Sequence, residues 1–269
     1  MITGPSKIET IANESVDIGI YQKEWLGMLG HARKAPKTVS IWTCVTHHYK
    51  YYIDLMDKTL SRDERERAAR FRRQEDRDRY VLSRLVIRKI CADWFAVPAS
   101  ELDFGVTALG RPFLKQAGHL REPQIDFNLS HSGDCTIVAW SPGQRVGVDI
   151  ERRVTSEALN FTLLAEKAFS PHERGMLARI EPHQLALTFY KIWARKEALL
   201  KAEGCGLSAP MSSFSVVTKH DREFNWAKEI VYGSPGSAWT VVELATTRGY
   251  VAALATRPRV QHFQYPTFQ

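Results

Sequence analysis

Two short segments carry most of the chemistry in this chain: Val146-Gly147-Val148-Asp149-Ile150-Glu151, and downstream Trp193-Ala194-Arg195-Lys196-Glu197-Ala198-Leu199-Leu200-Lys201. Together they supply three carboxylates and two lysines. In the first segment, strict alternation predicts a strand with Val146, Val148 and Ile150 on one face and Gly147, Asp149 and Glu151 on the other. At about 3.3 Å per residue the Cα atoms of the two acids lie about 6.6 Å apart, a gap that two side chains can close onto one small hard cation. Gly147 is expected to leave that face open.

The second segment reads as the end of a helix from about His183 to Glu203, stopped by Gly204. Its apolar stripe runs through Leu185, Phe189, Ile192, Trp193, Leu199 and Leu200. Lys196 falls within that stripe, where an ammonium must snorkel or meet an anion. Glu197 flanks the stripe, and Lys201 follows one turn later on the same edge. Taken singly these features are ordinary: acids on a strand are usually solvated, and Glu197 with Lys201 could be a plain helical ion pair worth about 0.3–0.5 kcal/mol. The combination of paired acids, a glycine beside them and a lysine on an apolar stripe points to a polyanion and Mg²⁺.

These two motifs, about forty residues apart, resemble the signature of the surfactin-type 4′-phosphopantetheinyl transferases. Phe127-Asn128-Leu129-Ser130-His131-Ser132-Gly133 and Gly110-Arg111-Pro112 match further motifs of that family in the expected order. The likeness runs from about Val39 to the C-terminal region and is strongest from Gly110 to Leu207. It implies an α+β fold of two similar α/β halves related by a pseudo-twofold, with coenzyme A in the cleft between them. It also implies transfer of phosphopantetheine from coenzyme A to a serine of an acyl, peptidyl or aryl carrier protein, with release of 3′,5′-ADP. By motif, Asp149, Glu151 and Glu197 are the expected Mg²⁺ ligands. Glu151, or a metal-bound water, is the expected base, and Lys201 is expected to stabilise the leaving ADP. The resemblance makes Lys196, Lys201, Arg111, Ser130 and His131 contacts to coenzyme A, His131 lying near the 3′-phosphate. Because neighbouring side chains of an extended segment point apart, Ser130 and His131 are not expected to form a hydrogen-bonded dyad.

The stretch from Ser61 to Lys89 predicts one or two helices, with Ser61 as N-cap and Glu64 three residues on in a capping box. From Arg62 to Arg79 it holds eight arginines against six acids, so most of it is expected to be a solvated ion-pair face. The resemblance assigns Arg67 and Arg79 to the 3′-phosphate. It differs at Glu64, which stands where the family has a basic residue, and at Arg111, where a lysine is common. Arginine can still grip phosphate in a bidentate manner.

The chain has 269 residues, 44% of them hydrophobic, enough for a substantial core and against disorder. A formal charge of +7 favours anionic partners but does not choose among them. The four cysteines lack metal-ligand spacing and are expected to be reduced. With no membrane-span-length apolar run and no signal-peptide core, a cytoplasmic protein is expected, acting as a monomer without nucleic-acid or membrane partners. Residues 1–37 are expected to form an extension, 38–135 a nucleotide-binding half and 136–269 a half with the metal site and catalytic helix. A long loop is expected from the strand near Leu102 through Pro123, and helices from Ser156 and from Pro171. Two alternatives remain open: another Mg²⁺-dependent phosphoryl-transfer enzyme, which would need a triphosphate loop, and no G-x-x-x-x-G-K-[ST] occurs; or a basic nucleic-acid-binding module, whose phosphate the paired acids would repel.

Overall fold

The computed structural model describes residues 38–50, 53, 59–121, 124–154, 159–205, 210–220, 223–233, 238–257 and 262–264. The expected extension 1–37 and the helix start at Ser156 lie outside them. In chain order the elements are β1 (Thr38–Val45), α1 (Arg62–Ala69), α2 (Gln74–Phe95), β2 (Leu102–Val106), β3 (Pro112–Ala117), β4 (Leu120–Arg121), β5 (Ile125–Ser132), β6 (Cys135–Pro142) and β7 (Val146–Arg152). There follow α3 (Phe161–Ala168), α4 (Pro171–Leu177), α5 (Pro182–Glu203), β8 (Val217–His220), β9 (Glu223–Trp226), β10 (Glu229–Val231), β11 (Ala238–Leu244), β12 (Tyr250–Thr256) and β13 (His262–Gln264).

Two four-stranded sheets dominate, ordered β13-β1-β6-β5 and β10-β11-β12-β7. Each is packed by one 22-residue helix, α2 on the first and α5 on the second. This is the expected α+β architecture of two comparable halves. The inner faces of the sheets share a further core, in which Ile41 and Ile137 meet Val148, Ile150 and Leu254. Val146, Val148 and Ile150 therefore spend the apolar face of β7 on the joint between halves, leaving Gly147, Asp149 and Glu151 to face α5.

Two expectations change. The boundary expected after residue 135 cuts off β6, which pairs antiparallel with both β1 and β5, so the first half runs on through Pro142. The segment expected to be a loop through Pro123 instead holds the three-stranded sheet β2-β3-β4. Gly110 and Gly118, both at positive φ, mark the turns between these short strands: Gly110 has φ +81° in a tight turn closed by a bond from its N–H to the Thr107 carbonyl, 2.9 Å.

Helix ends follow local chemistry. Ser61 and Ser170 cap α1 and α4 through capping boxes with Glu64 and Glu173. Helix α5 starts on Pro182 and stops at Gly204, which takes the left-handed conformation at φ +82°. Gly147 does not open its face. A Cβ there would lie 2.8 Å from the Ala202 Cα and closer still to the Ala198 carbonyl and the Ala202 nitrogen, so the glycine lets the α5 backbone sit directly on β7.

Candidate active site

Strands β5 and β7 are each the outer strand of their own sheet and would otherwise present unpaired backbone groups. The alternating side chains of β5 meet this need. Asp126 accepts from the Val146 N–H at 2.8 Å, Asn128 from Val148 at 2.9 Å, and Ser132 from Arg152 at 3.0 Å. The two halves are thus joined edge to edge by side chains, in a register that advances two residues at a time on both strands. Ser130, the remaining member of this row, turns to a side chain instead: its hydroxyl donates to Asp149 Oδ1 at 2.8 Å.

The same Asp149 oxygen receives the Lys201 ammonium at 2.6 Å, and Lys201 also donates to Ser130 Oγ at 2.8 Å. This three-membered knot ties β5, β7 and the last turn of α5 together. Asp149 is 3% exposed, and its Oδ2 is buried without a partner. Next along β7, Glu151 Oε2 accepts from Ser132 Oγ at 2.9 Å. Burial, reinforced by the neighbouring Asp149 charge, pushes the Glu151 pKa up to about 7. Burial and then Asp149 also raise the pKa of Glu197.

No three His, Cys, Asp or Glu side chains among the described residues stand as a ready-made cation cage. The donor set nonetheless fits a divalent cation. A buried, unpartnered carboxylate oxygen and two further carboxylates, disfavoured as anions by burial and then by the Asp149 charge, form an arrangement whose repulsion a cation would relieve.

The structure brings His131 and Arg79 to this edge. His131 is exposed on the opposite side of β5 from Ser130, so the two form no dyad. Partial desolvation and then the Arg79 and Lys201 cations lower its pKa. Arg79 donates to the Gly133 carbonyl and to Asp76. It borders a cavity of about 690 Å³ shared with Lys50, Arg73, Asp134 and Arg152. Arg67 lies elsewhere: it is exposed, 5.5 Å from the Tyr80 ring centre, and borders a separate cavity with Asp63, Glu66 and Arg70.

Two expected coenzyme A contacts are corrected. Lys196 is 0% exposed and fully committed, pairing with Glu173 at 2.8 Å and donating to the Met211 and Phe214 carbonyls at 2.6 Å each. The anion that its place on an apolar stripe demands is thus protein, not ligand. Arg111 is likewise spent on protein acceptors: Asp126 at 2.6 Å, the Val146 carbonyl at 2.8 Å, the Phe127 carbonyl at 3.1 Å and the Lys201 carbonyl. Glu64, at the position where a basic residue is usual, accepts from Arg88 at 2.8 Å in a buried pair.

Sequence reasoning missed Ser132, Asn128, Asp126 and Glu173. The first three carried a readable signal, a period-two row of polar residues in Asp126-Phe127-Asn128-Leu129-Ser130-His131-Ser132. Glu173 carried none beyond its place in a capping box, because its lysine partner is 23 residues away in another helix.

A family model described as 4′-phosphopantetheinyl transferase, N-terminal, matches residues 40–143, and one described as the 4′-phosphopantetheinyl transferase superfamily matches residues 145–255. They meet at the turn between β6 and β7. A 4′-phosphopantetheinyl transferase of Bacillus subtilis is 33% identical over 168 residues, 62% of this chain and 70% of that protein. The 4′-phosphopantetheinyl transferase Sfp of Bacillus subtilis (strain 168) is 30% identical over 64% of this chain and 78% of its own length. The 4′-phosphopantetheinyl transferase HetI of Nostoc sp. is 27% identical over 90% of this chain and 99% of its own. With both halves matched in order and relatives of this identity covered over more than two thirds of their length, the chain belongs to the 4′-phosphopantetheinyl transferase family and is a transferase.

Proposed function

We propose that this transferase moves the 4′-phosphopantetheine arm of coenzyme A onto a serine hydroxyl of an acyl, peptidyl or aryl carrier protein, releasing 3′,5′-ADP, at a site made of Asp149, Glu151, Glu197 and Lys201. The observation that carries this reading is the knot of Lys201, Asp149 and Ser130 beside the Glu151 carboxylate that Ser132 orients. A base and a cation at one edge are what displacement at phosphorus requires.

In this reading Glu151, oriented by Ser132, takes the proton of the carrier serine. The serine oxygen bonds to the β-phosphorus, and the bond from that phosphorus to the bridging oxygen breaks. Lys201 has three N–H donors, two of them spent on Asp149 and Ser130, and turns the third toward the departing ADP oxygen. Asp149, Glu151 and Glu197 would hold Mg²⁺, which when bound supplies charge neutralisation on the pyrophosphate. The unpartnered Asp149 Oδ2 supports that donor set. Arg79 and His131 line the adjoining basic edge, to which we assign the nucleotide's 3′-phosphate. Among the described residues no helix is long and apolar enough to cross a membrane.

The test is intact-protein mass spectrometry of apo carrier proteins incubated with this protein, coenzyme A and Mg²⁺, with a chelator control. A chelator-sensitive gain of one phosphopantetheine per carrier is the expected result. Transfer unaffected by chelator overturns the metal assignment. No transfer to any carrier, together with no coenzyme A binding in a titration, overturns the reaction.

A further inference from the structure

The last turn of α5 carries Lys201 and ends at Gly204, whose N–H meets the Leu200 carbonyl at 2.9 Å. Among the described residues the next three carbonyls have no helical partner, as at any helix C-terminus. All three are met by guanidinium groups. Arg111 donates to the Lys201 carbonyl. Arg145 donates to those of Ala202, at 3.2 Å, and Glu203, at 2.9 Å. Arg111 comes from the turn before β3, and Arg145 is the residue before β7. Arg111 reaches β5 and β7 with the same group, through Asp126 and the Phe127 and Val146 carbonyls. Cations at this end also complement the helix dipole.

From this we infer that Arg111 and Arg145 form a two-arginine cap on the catalytic helix and are positioning residues for Lys201, holding its backbone in register with Asp149 on β7 and with Ser130 across the joint between the halves. The assignment rests on the proposed role of Lys201. It differs in kind from a phosphate contact, because a planar fork with four separate acceptors is required, not a charge. A lysine at 111 keeps the charge and loses the fork.

The experiment uses the full-length protein with Arg111→Ala, Arg111→Lys and Arg145→Ala. Steady-state kinetics is combined with hydrogen–deuterium exchange read on the peptide covering the last turn of α5. Both Arg111 variants are expected to lower kcat by about tenfold to a hundredfold with little change in the KM for coenzyme A, since a misplacement of about 1 Å costs about 10²-fold. Exchange should rise locally at Leu200–Gly204. Arg145→Ala, at an exposed residue, should raise the same exchange with a smaller loss of kcat, and it stands in should the Arg111 variants not fold. Wild-type kcat in Arg111→Lys with a raised KM in Arg111→Ala would overturn the inference in favour of a phosphate grip. Unchanged exchange in the last turn in all three variants would overturn it outright. Should Lys201→Ala leave turnover intact while exchange behaves as expected, the cap stands and the role of Lys201 falls.

Discussion

Replacing Gly147 by alanine should damage stability and turnover together, because this glycine sets the distance between β7 and α5. The added Cβ would sit 2.8 Å from the Ala202 Cα and nearer to two other backbone atoms, the Ala198 carbonyl oxygen and the Ala202 nitrogen. Ordinary contact begins at 3.4 Å, so the Cα alone must retreat from 2.8 to 3.4 Å, and the nearer atoms further, a helix displacement of about 1 Å. Backbone cannot rotate away as a side chain can. The helix is also packed on β11 and β12 through Leu199, Val241 and Val251, so its displacement loosens a filled core. Overpacking of this kind costs about 1–3 kcal/mol, and we expect the upper part of that range. The same shift separates α5, with Glu197 and Lys201, from Asp149 and Glu151 on β7. At about 10²-fold per Å of misplacement, kcat should fall by about two orders of magnitude. Urea unfolding and transfer to a carrier protein, measured side by side, check both numbers. Adding Ala202→Gly should not rescue the variant, because the obstructing atoms belong to the backbone. A Gly147→Ala protein with wild-type turnover and an unfolding free energy within about 0.5 kcal/mol of wild type would refute the account.

Further outcomes are expected. Asp149→Ala should lower transfer by about 10²–10³-fold with a folded circular-dichroism spectrum, and normal transfer in Mg²⁺ would remove Asp149 from the site. Lys196→Met should cost about 3–5 kcal/mol by stranding the buried Glu173 carboxylate, with no change in the KM for coenzyme A; a raised KM at unchanged stability would restore the ligand role that the structure denies it. In metal-free protein Glu151, at about 7 when folded, binds its proton more tightly than in the unfolded chain. Stability should therefore decline as pH rises from about 4.5 to about 7 and change no further above that. Glu151→Gln should lose this component, and parallel wild-type and variant profiles in urea between pH 5 and pH 8 would argue against the raised pKa.

The elements that carry the site were legible because their signals are local. Alternation over Val146–Glu151 gave β7 and the common face of Asp149 and Glu151, while the Gly204 stop gave the end of α5 and hence Lys201 one turn from Glu197. The capping box at Ser61 was readable for the same reason. Short strands between turns were not: Leu102–Arg121 is rich in glycine and looks like loop until β2, β3 and β4 pair.

What the sequence by itself determined is which residues share a face of one strand or one helix, since backbone period is a property of a few consecutive residues. Only the tertiary structure decided what each face meets. Lys196 and Lys201 lie five positions apart on one helix, yet the first is locked against Glu173 and the second faces Asp149. Arg111 looks like a phosphate ligand in sequence, but in space its acceptors lie 15, 16, 35 and 90 residues away. Such partners are set by which strand edges and helix ends the two halves bring together, and a polar group desolvated there takes the nearest acceptor whatever its distance along the chain.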